Sequence, residues 1–125
     1  MQNMNFWLTT EQIRNHGKDV TRRLRWWNAR PGQLLSAVVK GMGLKKGEKV
    51  VKITTIRIVS TRAEPLHALT DNLEYGLSEC RREGFGNHPT LWWPPNFVAW
   101  FCKWHGIDDI WPVNRIEFEY VNDRT

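Results

Sequence analysis

With 125 residues, a net charge of +5 and 41% hydrophobic side chains, the chain suits one domain that buries about two thirds of the surface its unfolded form would expose. No run of ~18 apolar residues is present, so hydropathy predicts no membrane-spanning helix. Two cysteines, Cys80 and Cys102, are too few for a disulfide framework, and residues 1–5 lack a basic region followed by an apolar run. Both thiols read as reduced and buried, and the expected location is the cytoplasm.

Charge is unevenly distributed. Residues 1–62 carry thirteen Lys/Arg against Glu11, Asp19 and Glu48, whereas residues 63–125 carry five against ten acids. A basic half suits a polyanion such as RNA or a nucleotide phosphate, unless folding intermixes the two halves in space. Most of the eight tryptophans are expected in the core, where an aromatic side chain contributes most.

In chain order, Phe6, Trp7 and Leu8 predict a first short strand. Thr9-Thr10-Glu11-Gln12 has the capping-box pattern, Thr9 capping and Gln12 reaching back, and Gly17 suits the left-handed residue that ends a two-turn helix. Residues 18–24 predict a strand. Regular alternation would place Lys18 and Val20 on one face and Thr21 and Arg23 on the other, so convergence of Lys18 with Thr21 needs a bend or bulge near Asp19. Pro31-Gly32 is a turn into a strand over 34–39, followed by a flexible basic loop over 41–49. Residues 50–60 are a β-branched run whose alternation breaks between Ile53 and Ile56, predicting a bulge or burial on both faces.

Two helices come next. Asp71-x-x-Glu74 predicts the start of one, with Leu73, Leu77 and Cys80 on its apolar face and Gly84 as its stop. Pro94 or Pro95 opens the other, with Phe97, Phe101 and Trp104 on one face and Gly106 at its end. The last strand alternates Ile116, Phe118 and Tyr120 inward with Arg115, Glu117 and Glu119 outward. About six strands with inserted helices and no βαβ rhythm predict one α+β domain over residues 1–125. A small mixed β-barrel with about three helices packed around it is the first choice.

Few residues carry chemistry. Lys18-Asp19-Val20-Thr21-Arg22-Arg23 places an amine, a hydroxyl and two guanidinium groups in one short segment, either as a solvated edge strand or as a pocket lining. Glu83 ends a helix, where the dipole disfavours a carboxylate and favours the protonated form a general acid needs; otherwise it is a solvated helix-end residue. Trp26, Trp27, Trp92 and Trp93 lie in loop-like segments, as a wall on which a base stacks or as packing across a barrel end. The 41–49 loop, with Lys45 and Lys46, lacks the P-loop spacing, leaving a phosphate cradle or a solvated hairpin. Cys102-Lys103-Trp104-His105 has half of a zinc spacing and no second pair, so neither a metal nor a cofactor is expected.

Taken together, these residues resemble the ASCH-domain family of the PUA-like superfamily over nearly the whole chain. The resemblance rests on residues 6–12 leading into Gly17-Lys18-x-x-Thr21-Arg22-Arg23, the Pro31-Gly32 turn and the segment from Arg57 to Pro65. Glu83-Gly84-Phe85 after a helix, the helix over 97–105 and Arg115-Ile116-Glu117-Phe118 complete it. It implies a small β-barrel with a basic cleft beside it. Some members are amidohydrolases of N4-acetylcytidine and related N4-acylcytosines, with a lysine base, a threonine nucleophile and a glutamate acid, which map onto Lys18, Thr21 and Glu83. Arg23 would support the carboxyl or the oxyanion. Asp19 stands where the family often has threonine, within reach of Lys18.

Under this resemblance the expected substrate is a modified cytosine nucleoside, contacted by Arg22, Arg23, Trp26, Trp27, Lys40, Lys45, Lys46 and Arg57. The alternative is an RNA-binding module, or a ribonuclease with His16 as its local support, using the same cleft. No obligate protein partner is evident from the sequence.

Overall fold

The structure is a computed structural model that describes residues 1–41 and 43–121. Strand β1 (Gln2–Asn5) leads through a 3-10 turn (Trp7–Thr9) into helix α1 (Thr10–Arg14), and β2 (Val20–Arg23) follows. Then come β3 (Leu34–Val38), the long β4 (Lys52–Pro65), α2 (Ala68–Asp71), α3 (Leu73–Cys80), a π turn (Arg81–Phe85), α4 (Pro94–His105) and β5 (Pro112–Tyr120). No helix among the described residues is long and apolar enough to cross a membrane.

The strands form one mixed sheet in the order β1-β3-β4-β5-β2, with β1 parallel to β3 and the other pairs antiparallel. The α+β class agrees with the sequence, but the backbone ladder does not close into a barrel. Each edge strand has four residues, and the gap between them is spanned by a side chain: Arg23 Nη2 donates to Asn5 O at 2.7 Å. β4 reaches both neighbours through two irregularities. One leaves Ile53 extra against β3, close to the predicted break; the other leaves Val59 extra against β5. These allow a 14-residue strand to curl around the core.

Two apolar cores result. Met4, Phe6, Ile13, Leu35, Ile56, Ile58, Ile116 and Phe118 pack inside the curl of the sheet beneath α1. Leu66, Leu69, Cys80, Phe85, Phe97, Phe101 and Val113 join α2, α3 and α4 to the sheet's end. At about 25 cal/mol per Å² of apolar surface, a fully buried Phe or Ile contributes roughly 1.5–3 kcal/mol.

Several local expectations are corrected. Phe6 to Leu8 is not a strand, because pairing with β3 is completed upstream by Gln2–Asn5. The Thr9 capping box is not formed: the Thr10 hydroxyl donates to Phe6 O, and Gln12 Nε2 donates to Gly84 O across the fold. His16 (φ 59°), not Gly17, takes the left-handed conformation after α1. Asn72, not Asp71, caps α3 by accepting from Tyr75 N.

The largest correction concerns α3. Leu73 and Leu77 are exposed, while Gly76, Glu79 and Cys80 are buried. Arg115, expected outside, is also buried. The reason is shared, since Glu79 and Arg115 pair with each other beneath the helix. The tryptophans depart from expectation too: Trp7, Trp27, Trp92, Trp104 and Trp111 are all exposed and none of the eight is fully buried.

Candidate active site

Between the two cores lies an open cavity of about 570 Å³, and Lys18, Thr21 and Glu83 all line it. Three local devices bring them there. After α1 the chain reverses through His16, and the Asp19 amide donates to Arg82 O at 3.0 Å, which ties this segment to the π turn. Regular pairing of β2 begins only at Val20, which leaves Lys18 ahead of the ladder's alternation and in one cavity with Thr21. Glu83 lies in the π turn, whose helical backbone Gly84 interrupts at φ 98°; a Cβ there would stand 2.9 Å from Gln12 Cγ.

The Lys18 ammonium donates to Glu83 O at 2.8 Å and to Glu83 Oε1 at 3.0 Å, with both side chains buried. Burial lowers the Lys18 pKa; Glu83 opposes this, and the Arg23 and Arg22 charges push the same way as burial. Asp19 does not compete for Lys18, because the Arg82 fork takes both of its oxygens at 3.0 and 3.1 Å.

Thr21 is buried, and its hydroxyl oxygen accepts from Arg23 Nε at 3.0 Å. No hydrogen bond joins it to Lys18. Among the described residues, Arg23 has no carboxylate as a hydrogen-bond partner: its other bond goes to Asn5 O, and its guanidinium stands 4.9 Å from the centre of the Phe6 ring. Burial outweighs the pull of Glu83 and brings its pKa down to about 10, still charged at neutral pH.

Arg22 has a different place from the one expected. Its side chain is fully buried behind Glu83, donating to Glu83 Oε2 at 2.9 Å, Glu64 Oε1 at 2.8 Å and Glu79 Oε1 at 2.6 Å. Burial alone would lower its pKa, but the three carboxylates outweigh it and raise it. Its Nε is a buried donor without a partner among the described residues. Arg22 also lines the cavity, and three carboxylates occupy its fork.

The cavity walls are aromatic. Phe97, Trp100, Phe101, Trp104 and His105 follow one another on α4 at helical spacing, facing Phe6 and Trp7 across the opening. Lys40 also lines it, its Nζ 5.5 Å from the centre of the Trp7 ring. Trp26 and Trp27 do not: Trp26 packs on the first core and Trp27 faces solvent. Lys45, Lys46 and Arg57 are also outside the cavity, Arg57 pairing on the surface with Glu119 at 2.9 Å. Among the described residues, no three His, Cys, Asp or Glu side chains are grouped to hold a metal ion.

Sequence reasoning missed Glu79, Glu64, Arg115, Trp100 and His105. Glu79 had a signal, since it stands one turn before Glu83 and beside Cys80, on the face a carboxylate pair would share.

No protein-family model matches the chain, and no curated protein does. A solved structure does match: the ASCH domain from Lactobacillus crispatus, known from a high-resolution crystal structure. It is 16% identical, with a TM-score of 0.55, over 95% of this chain and 79% of that one. The chain thus has an ASCH-domain fold.

Proposed function

We propose that this chain hydrolyses the N4-acyl amide of an acylated cytosine nucleoside. The observation that supports it is the meeting of Lys18, Thr21 and Glu83, from segments more than 60 residues apart, in one aromatic-walled cavity, with Lys18 and Glu83 in direct contact at 3.0 Å. Amide cleavage needs a nucleophile, a base for its proton and an acid for the leaving amine. Thr21 supplies the hydroxyl, which is inert until a base takes its proton. Burial lowers the pKa of Lys18 and so favours the amine form that does this. Glu83 touches Lys18 and passes that proton to the N4 amine as the C–N bond breaks. Water then releases the acyl group from Thr21 as a carboxylic acid.

Arg23 has a defined part. A hydroxyl has one donor and two acceptor positions; Arg23 Nε occupies an acceptor position, which leaves the O–H free to point at a base. The guanidinium N–H groups not used by Thr21 and Asn5 remain for the carbonyl oxygen as it gains charge.

The test is incubation of the purified protein with N4-acetylcytidine and chromatography for cytidine. Turnover is expected, abolished in folded Thr21→Ala and Lys18→Ala variants. Full activity in both would overturn the assignment.

Binding of single-stranded RNA is a second reading, favoured by exposed Trp7 and Trp104 at the cavity mouth with Lys40 beside Trp7. It predicts affinity that falls with salt at a log–log slope of ~0.7 per phosphate contacted. Absence of binding at low salt would remove it.

A further inference from the structure

Behind the cavity lies a buried charge cluster that the proposed reaction does not itself use. Glu79 is its centre and is 1% exposed. Arg22 Nη2 reaches it at 2.6 Å from β2, Arg115 grips both its oxygens from β5, and the Tyr75 hydroxyl oxygen lies 3.2 Å away on its own helix. Arg82 stands 3.8 Å away and is mainly engaged with Asp19 and Glu117. From β4, Glu64 accepts from Arg22 and from Tyr75. Cys80 is the other titratable neighbour, and its thiol is held neutral at ordinary pH, pushed up to about 12 by burial, with Glu83 adding to the rise.

This arrangement constrains the reacting groups. Glu83 offers two carboxylate oxygens; Oε1 meets Lys18 and Oε2 meets Arg22. Rotation of the Glu83 carboxylate is therefore blocked as long as Arg22 stays in place. Arg22 stays in place because Glu79 and Glu64 hold the opposite side of its fork, and Glu79 is itself anchored by Arg115. A cation with paired hydrogen bonds transmits orientation where a single flexible contact would not.

We propose that Glu79 is a positioning residue for the reaction, acting through Arg22 to fix the Glu83 carboxylate and with it the Lys18 amine. The inference rests on the amidohydrolase reading. In the working state one mobile proton passes between the Lys18 amine and the Glu83 carboxylate, which are in contact at 3.0 Å. Glu79 contributes one negative charge to the cluster around that pair, and Arg115 one positive charge. The charges facing Lys18 itself are Glu83, Arg22 and Arg23. Removing the negative charge makes Lys18 release its proton more readily, so the pH range in which it is a free amine moves lower. Removing the positive charge moves it to higher pH.

The experiment compares wild type, Glu79→Gln and Arg115→Gln, each checked for folding by circular dichroism and thermal melting. For Glu79→Gln, kcat on N4-acetylcytidine is expected to fall about tenfold or more with KM nearly unchanged, and the kcat–pH profile to move about one unit lower. Arg115→Gln is expected to move it the other way. A second readout needs no turnover: the pH dependence of Lys18 acetylation by acetic anhydride, read by mass spectrometry, should shift in the same two directions. If wild type fails to deacetylate while the labelling shifts appear, the reaction is wrong and the coupling of Glu79 to Lys18 stands. Folded variants with an unshifted profile and unshifted labelling overturn the inference, and loss of folding in both variants assigns the cluster to stability and overturns it too.

Discussion

Gly84 is where the backbone most directly controls the site, and Gly84→Ala tests that control. Its φ of 98° is a left-handed conformation, which costs an L-residue about 1–2 kcal/mol. Its added Cβ would also stand 2.9 Å from Gln12 Cγ, 3.1 Å from Gln12 Cβ and 3.4 Å from Lys18 Cβ. Overpacking costs about 1–3 kcal/mol, and the lower part of that range applies because the Gln12 side chain can move. Moving it loses the hydrogen bond from Gln12 Nε2 to Gly84 O, now 3.1 Å. The expected total is about 2–3 kcal/mol, or a fall in Tm of about 8–12 °C for a domain of this size.

Gly106→Ala is the control that separates the two contributions. Gly106 ends α4 at φ 65° with nothing within 4 Å of a built Cβ, so it registers backbone strain alone, about 1–2 kcal/mol. Urea unfolding of both variants with equal m-values gives the difference directly. The reasoning fails if Gly84→Ala is no more destabilised than Gly106→Ala.

Two further predictions follow from the buried titratable groups. For Glu79, burial alone would raise the pKa, but Arg115 and Arg22 outweigh it and hold the group at about 2, below its ordinary 4.5. A depressed carboxylate contributes stability present above pH 4.5 and lost as pH falls towards 2, here about 3 kcal/mol, and Glu64 is shifted in the same direction. Urea unfolding between pH 6 and pH 2 should show a shallower acid loss in Glu79→Gln than in wild type; parallel losses would refute the assignment. For the thiols, Cys80 is fully buried with its pKa pushed up to about 12, and Cys102 is half-buried. An aromatic disulfide reagent should therefore modify Cys102 in the native protein and Cys80 only on unfolding, and simultaneous modification of both would count against the packing of α3.

What the amino-acid order determined by itself is what local chemistry and period-2 alternation can decide. The Pro31-Gly32 turn, the β-branched run that becomes β4, the stops at Gly84 and Gly106, and the inward Ile116 and Phe118 are of this kind. The grouping of Lys18, Thr21 and Glu83 was legible as motifs, though not as distances. Tertiary structure decided the rest. Apolar periodicity assumes that charges face water, so it turned α3 outside in: only pairing with Arg22 and Arg115, from strands distant in sequence, makes it favourable to bury Glu79 and leave Leu73 and Leu77 exposed. The same long-range pairing tied Arg22 to three carboxylates and gave Asp19 to Arg82, sparing Lys18. The Arg23 contact that bridges β1 and β2 likewise joins residues 18 apart in sequence, which strand alternation does not reveal. Burial of charge is a property of partners, and partners are set by topology.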